Sequence, residues 1–532
     1  MRFATVKSIG SRWLLPVATG ALLAFALPPF NSGELGWLSL VPLLFAVEDC
    51  PLEEAFRRGY IAGLVFFGMT IWWIYHVTPA GTVGLIAFLA LYFGAGAVVF
   101  AMANSLIPES ADPEQQSGGW AAIRNILVAA VASAGWVTLE WLRGKLLFGG
   151  FPWNFLGVTQ WQSGPLIQFA SVTGVYGVSA LVCFVNVVLY FTIRRFVVQV
   201  RTREKRWRLS WEFYVAMGLI CLAFWQGLPQ ILRHSEVKQK TVRLALIQGD
   251  IPQTLKFEPE QKPMILERYR TLTETVMAAR PEMIIWPETA TPDALRYDRE
   301  SFELVTNLAV KSSAYLFTGT VDLTPYSSPA EAFNGAILVR PDGTVGEIYH
   351  KIHLVPFGEY VPLRKIFPFM KWLTPIDGSF EQGRDFTVFH AGDLRFGGVI
   401  CFEDTVPDLY RHFVQQDVDF MVNVTNDAWF KTSPAAEMHL ANAIFRAIES
   451  RRPLVRASNN GVTCVVNEHG FVRARCASFS ARTLNFDLPL PNDRTQTFYT
   501  QYGDVFVGAC AVVSVAAIGL AAFRRNRLES QI

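Results

Sequence analysis

The sequence predicts two parts written in different patterns: a polytopic α-helical membrane part of about eight transmembrane helices, and one α/β or α+β domain of about 250 residues. Three observations lead to this reading. Hydrophobic residues make up 51% and charged residues only 17% of 532 positions, and the mean hydropathy of +0.26 exceeds what a soluble chain of this size carries. The apolar residues gather into runs long enough to cross a hydrocarbon core, whereas residues 241–490 alternate short strands with amphipathic helices. Lysine and arginine collect at the ends of the apolar runs, so a net charge of only +2 hides an uneven distribution.

The amino end carries Arg2, Lys7 and Arg12 and then runs apolar from Trp13 to Leu27. Ala24-Phe25-Ala26 would suit a signal peptidase, but further spans follow at once, which favours retention as a first transmembrane helix. The next spans are expected near 35–48, the shortest, then 57–76, 82–106, 121–142, 166–193 and 212–232, with the last at 503–523. Seven helices thus fill 1–233, the polar domain 241–490, the eighth helix 503–523 and a basic cytoplasmic tail 524–532. Eight spans put three basic segments on one face: the amino terminus, the run Arg194, Arg195, Arg201, Arg203, Lys205, Arg206 and Arg208, and the tail Arg524-Arg525-Asn526-Arg527. That face is cytoplasmic, so the polar domain is expected outside the cytoplasmic membrane. Between the fifth and sixth spans, Phe148-Gly149-Gly150-Phe151-Pro152-Trp153-Asn154-Phe155 reads either as an interfacial aromatic belt or as a membrane-level platform under the outer domain.

Within the polar domain, strands are expected at 242–248, 283–286, 314–321, 334–340, 344–350, 395–401, 419–423, 454–457, 463–467 and 484–488. Helices are expected at 259–279, 302–311, 406–414 and 435–450, the last with Met438, Ala441, Phe445 and Ile448 at helical spacing. Pro341-Asp342-Gly343 signals a hairpin. No internal repeat is evident. Seven cysteines, an odd number without a CxxC pair, argue against a disulfide scaffold, although an oxidising compartment leaves a Cys464–Cys476 bridge open.

Common catalytic signatures are absent: there is no G-x-S-x-G, Walker A, G-x-G-x-x-G or H-E-x-x-H, and His350 and His353 lack partners for a metal set. Neither metal nor cofactor is expected, and no nucleic acid. What remains is three segments in order. Trp286-Pro287-Glu288-Thr289 ends a strand with a carboxylate, Tyr349-His350-Lys351 follows a hairpin with a lysine, and Cys401-Phe402-Glu403 ends a buried strand with a thiol. Each alone has a bland reading, as surface acid, surface lysine and small core residue. Together they suit acyl chemistry: a thiol must lose its proton to attack an ester, a desolvated carboxylate can take that proton, and a fixed ammonium stabilises the oxyanion that forms.

The order Glu288, Lys351, Cys401, each at a strand end, resembles the nitrilase or carbon–nitrogen hydrolase superfamily. With the flanking spans and Leu354-Val355-Pro356-Phe357-Gly358-Glu359-Tyr360-Val361-Pro362, nearly the whole chain resembles the bacterial apolipoprotein N-acyltransferase family. The resemblance implies a nitrilase-like αββα sandwich and a two-step acyl transfer. Its implied partners are a phospholipid acyl donor, a diacylated apolipoprotein acceptor and the membrane, with the chain acting as a monomer. It implies Glu288 as general base, Lys351 as oxyanion stabiliser and Cys401 as nucleophile, supported by Glu359, Glu403 and Phe402. Trp286, Phe257, Trp429 and Trp153 are the expected substrate-binding residues. Phe402 stands where the family often has tyrosine and Phe257 where it often has tryptophan, which alters polarity at both places. Residues 361–372, with Leu363, Ile366, Phe367, Phe369, Met370 and Trp372 among three basic residues, read either as an amphipathic cover or as a lid dipping into headgroups. The rival readings are a membrane-tethered amidase and a sensor with a non-catalytic nitrilase-like domain.

Overall fold

The computed structural model describes residues 9–107, 119–146, 148–202, 210–232, 240–324, 331–361, 379–491 and 494–529, and divides into two compact units. One comprises residues 1–72, 82–232 and 504–532, and the other residues 73–81 and 233–503.

The first unit is helical: α1 (Ile9–Phe25), α2 (Val41–Ala46), α3 (Leu52–Thr70), α4 (Pro79–Leu106), α5 (Gly119–Lys145), α6 (Ala170–Thr173), α7 (Val175–Thr202) and α8 (Trp211–Leu232), with a final helix over Val505–Glu529. Among the described residues, four of these, α4, α5, α7 and α8, are long and apolar enough to cross a membrane, and Trp13–Phe25, Gly33–Ala46 and Val505–Ala521 are shorter apolar stretches. Two expected spans change. The stretch 35–48 is a 3₁₀ turn (Gly33–Trp37) followed by the six-residue α2, with Pro42 in its first turn. The stretch 166–193 breaks at Gly174, whose φ of +67° ends α6, so that the long helix begins at Val175.

Backbone broken at these places is satisfied by side chains, as an apolar surrounding demands. Asn186 of α7 accepts from Leu40 N at 2.8 Å and donates to Gly36 O at 2.9 Å. Arg143 donates to Trp153 O at 2.7 Å, and Glu140 accepts from Leu156 N at 2.6 Å. The two α5 charges therefore pin the glycine-rich aromatic segment, and Trp153 lies buried within it. Glu212 of α8 pairs with Arg195 of α7 at 2.6 Å and accepts from Asn125 of α5 at 3.0 Å, so that three long helices share one buried carboxylate.

The second unit holds two six-stranded sheets. The first contains β1 (Thr241–Gln248), β2 (Met283–Ile285), β3 (Tyr315–Thr324), β4 (Glu331–Val339) and β5 (Val345–His350). The second contains β6 (Val388–Ala391), β7 (Leu394–Ile400), β8 (Phe420–Thr425), β9 (Leu454–Ser458), β10 (Cys464–Val466) and β11 (Val472–Arg475); β12 (Arg482–Pro489) returns to the first. The orders are β12-β1-β2-β3-β4-β5 and β6-β7-β8-β9-β10-β11. Each has a parallel trio, β1-β2-β3 or β7-β8-β9, with antiparallel neighbours on both sides. The domain is thus a topological duplication that the sequence hides. The expected hairpin joins β4 to β5, with Gly343 at φ +84° where a side chain would be strained.

Helices α9 (Lys262–Val276) and α10 (Arg299–Ser312) belong to the first half, and α11 (Pro407–Val414), α12 (Ala435–Ser450) and α13 (Phe498–Tyr502) to the second. Ile265, Leu266 and Tyr269 of α9, with Leu304, Val305 and Leu308 of α10, bury an apolar stripe with Ala245, Ile284, Leu316 and Ile337 of the first sheet. Between the sheets, Phe317 of β3 meets Phe389 and Phe396 of β6 and β7 edge-on at 4.8 and 5.2 Å. Cys464 lies opposite Arg475, and Cys476 N bonds to Thr463 O at 2.9 Å, so the two thiols are not register partners; both are buried and unbridged.

Gly398 of β7 lies where these rings converge: a Cβ there would sit 2.7 Å from the Phe317 ring and 2.9 Å from that of Phe389. Gly398→Val is expected to destabilise the domain by about 1–3 kcal/mol through overpacking, read as a lowered thermal-unfolding midpoint.

Candidate active site

The parallel strands of each sheet deliver their loops to one edge, and functional side chains gather there. Glu288 follows β2 by three residues, Lys351 follows β5 directly and Cys401 follows β7 directly. The chain at Glu288 makes a close turn over β3. Ala290 N bonds to Gly319 O at 3.0 Å and Gly319 N to Pro287 O at 3.2 Å. A Cβ on Gly319 would stand 2.6 Å from Glu288 Cα, so only glycine admits this approach. Thr289 has φ +47°, rare for a β-branched residue, and Cys401 has φ +54°. Both turns thus hold backbone conformations that the surrounding packing must enforce.

Lys351 is 1% exposed. Its Nζ lies 3.0 and 2.9 Å from the two oxygens of Glu359 and 3.9 Å from Glu288 Oε1. Asn334 of β4 completes the group, donating from Nδ2 to Glu288 Oε1 at 2.8 Å and to Glu359 Oε1 at 2.7 Å. Glu359 Oε2 also accepts from Val355 N at 2.8 Å. Burial alone would lower the lysine pKa, but Glu359, Cys401, Glu288 and Glu403 outweigh it and raise it, so Lys351 is a permanent cation. Burial raises Glu288 above the ordinary carboxylate value of 4.5, against the pull of Lys351. Cys401 is half-buried, and burial together with the Glu288 charge pushes its thiol up to about 12, against the opposing field of Lys351. Cys401 is therefore a thiol rather than a thiolate near neutral pH.

Glu403 is fully buried. Its Oε1 accepts at 2.8 Å from Tyr349 OH, Ile352 N and His353 N, and its Oε2 accepts from Ile400 N at 2.8 Å. This one carboxylate bonds the loop carrying Lys351 to the residue before Cys401. Burial raises it to about 7. Next to it, Asp404 pairs with Arg456 and with His439 Nε2 at 2.8 Å; His439 Nδ1 lies 3.1 Å from Asp427 Oδ1, and Ser458 Oγ donates to Asp427 Oδ2 at 3.1 Å. A buried polar chain thereby links the nucleophile turn to the turn that bears Trp429.

The structure brings Glu288, Lys351 and Glu359 into direct contact, with Cys401 in their field and Glu403 behind it. Phe402 is half-buried, its ring 5.8 Å from that of His353. Trp429 is 37% and Phe257 53% exposed, free to present rings to a ligand. Trp286 goes elsewhere: its ring is fully buried, stacked on Tyr269 at 4.8 Å, with Nε1 donating to Thr273 at 3.0 Å. That ring is committed to the α9 interface, which corrects its expected contact with substrate. Residues 362–372 of the expected lid lie outside the described residues. Sequence reasoning missed Asn334, whose signal was an amide within the apolar run of β4, and Lys256, which stands beside the singled-out Phe257.

Residues 19–188 match the apolipoprotein N-acyltransferase N-terminal domain, and residues 243–495 match carbon-nitrogen hydrolase. An apolipoprotein N-acyltransferase of Geobacter metallireducens is 33% identical over 98% of this chain and 96% of that protein. The chain belongs to the apolipoprotein N-acyltransferase family. Another apolipoprotein N-acyltransferase, from Vibrio cholerae, is 30% identical over 90% of this chain and 91% of its own length. Among solved structures, a carbon-nitrogen hydrolase from Helicobacter pylori is 14% identical with a TM-score of 0.37, covering 47% of this chain and 89% of that one. In this N-acyltransferase, Asn334→Ala should free both carboxylates it bridges and lower the rate of acylation of Cys401 by about 100-fold, the scale of a small misplacement of reacting groups. Rapid-quench intact-mass spectrometry measures this.

Proposed function

We propose that the protein transfers a fatty acyl chain from a phospholipid, through a thioester on Cys401, to the amino group of the S-diacylglyceryl-cysteine at the amino terminus of an apolipoprotein. The observation that carries this reading is the Lys351 ammonium, held 2.9 Å from Glu359 and 3.9 Å from Glu288 in the field of a strand-end thiol. An ester carbonyl seats its oxygen toward Lys351. Cys401 Sγ attacks the carbonyl carbon while its proton passes to Glu288, and Lys351 stabilises the tetrahedral oxyanion, a contribution of about 3–4 kcal/mol for such a donor. On collapse the ester C–O bond breaks, Glu288 returns the proton to the leaving oxygen, and a lysophospholipid departs. In the second half the acceptor amine attacks the thioester and gives a proton to Glu288. The C–S bond breaks, the thiol recovers that proton, and an amide remains.

Glu359 and Asn334 hold the lysine and the base in one geometry, and Glu403 keeps the two loops together. Trp429, Phe257 and Phe402 line the way to the thiol, whereas the Trp153 ring is buried within its own segment of the helical unit. Apolar helices keep both diacyl partners in the bilayer that already dissolves their chains. The basic run from Arg194 to Arg208, one apolar helix before the catalytic domain, and the basic tail, one apolar helix after it, support a multi-pass protein of the bacterial cytoplasmic membrane with its catalytic domain on the periplasmic side.

Intact-mass analysis of purified protein with phospholipid should show one fatty acyl adduct on Cys401 that disappears when a diacylated lipopeptide is added. Cys401→Ala should show neither adduct nor product; product at the wild-type rate would end the proposal. A tethered amidase would instead release free acid and ammonia from a small amide. Because Glu288 works as the carboxylate and burial raises its pKa, thioester formation should rise with pH through a limb centred above 4.5. Glu288→Gln should remove that limb and lower the rate by about 100-fold or more.

A further inference from the structure

The loop after β1 carries a second buried lysine that the mechanism above leaves unused. Lys256 is 2% exposed, whereas its neighbour Phe257 is 53% exposed. The Lys256 ammonium donates to the main-chain carbonyl of Glu288 at 2.8 Å. Among the described residues it has no carboxylate within ion-pair distance, so its charge is not quenched by a direct partner. A long lysine side chain ordinarily loses much rotamer freedom on being fixed, and here the loop itself is anchored. Asn459 accepts from Ile251 N at 3.0 Å and donates to Ile251 O at 2.7 Å, and Asn426 donates to Gln253 at 2.7 Å. The ends of β8 and β9 therefore fix the loop that delivers Lys256. The topological duplication makes β1 and β2 the counterparts of β7 and β8, so the loop that carries Lys256 leaves the same end of its sheet as the turn that carries Cys401 leaves its own.

We propose that Lys256 is a positioning residue for acyl transfer, one that holds the Glu288 turn through its carbonyl and keeps a second positive charge beside the Glu288–Cys401 pair. The turn needs such a hold, since Thr289 next to it sits at φ +47°. The charge matters because Lys351 lies a full ångström closer to Glu359 than to Glu288. As the proton moves from Cys401 to Glu288, negative charge passes to sulfur and then to the carbonyl oxygen, and a second cation lowers the cost of both. The ionisable groups that bear on Lys256 are Glu288, from the turn after β2, and Cys401, from the turn after β7. Burial lowers the ammonium to about 8 despite both of them, so it is charged at neutral pH and loses its proton within an accessible range.

The inference rests on the acyl-transfer reading. Its test uses the full-length protein in mixed micelles of a defined diacyl phospholipid, with the rate of the acyl adduct on Cys401 followed by intact mass from pH 6 to 10. Lys256→Met, which keeps the stem and drops the charge, should slow thioester formation at least 100-fold. Lys256→Arg should recover most of the rate and remove the alkaline decline that the wild type shows around pH 8. Two results overturn the inference: a Lys256→Met rate within threefold of wild type, or an alkaline decline that is the same in wild type and Lys256→Arg. If the methionine variant fails to fold, the comparison of wild type with arginine decides. No adduct on the wild type would instead overturn the acyl-transfer reading itself.

Discussion

The Glu403 carboxylate is the constraint on which the site depends. Lys351 comes from the first sheet and Cys401 from the second, and among the described residues no strand pairing joins the two sheets. Glu403 supplies what pairing does not, since its two oxygens take main-chain N–H groups from Ile352 and His353 on one side and from Ile400 on the other. Buried main-chain donors must find acceptors, and leaving several unpaired costs more than burying one carboxylate among them. The interaction that makes burial of this acid tolerable is thus the same one that fastens the Lys351 loop to the Cys401 turn.

Around that clamp the duplicated topology places four strand ends together, after β1, β2, β7 and β8. Lys256, Glu288, Cys401 and Asp427 follow them in turn. Parallel strands carry their loops to a common edge, and pairing two such sheets face to face brings two sets of loops over one cleft. Each half alone would present only a partial set of charges. The chemistry arises from their opposition.

Much of this was legible in the residues. Strands with apolar runs and flanking turn signals, such as β1, β7 and β8, fall where their patterns put them, because burial on both faces leaves an unmistakable run. The short edge strands β6 and β11 were not legible, since an edge needs little apolar content to pair on one side. Helix bounds differ from the expected ones where local backbone overrode hydropathy: Gly174 delays the start of one long apolar helix to Val175, and the stretch containing Gly36 and Pro42 folds as two short helices braced by Asn186. In the site, the titratable residues could be picked out because acids, lysines and thiols at strand ends are few. Asn334 and Lys256 are harder to pick out, because an amide in an apolar run and a lysine beside an aromatic ring do not say which way they face until the fold encloses them. Trp286 misled for the opposite reason: its place beside Glu288 in the chain says nothing of its direction, and alternation along the strand turns its ring to the helix side.

The protonated resting state of Cys401 also bears on survival of the enzyme. Oxidants and disulfides attack thiolates, and damage begins with a sulfenic acid formed on the ionised sulfur. A thiol pushed up to about 12 offers almost no thiolate at neutral pH. In the proposed mechanism its proton leaves only once a carbonyl oxygen has settled against Lys351. A thiol so held reacts slowly with oxidants in its surroundings.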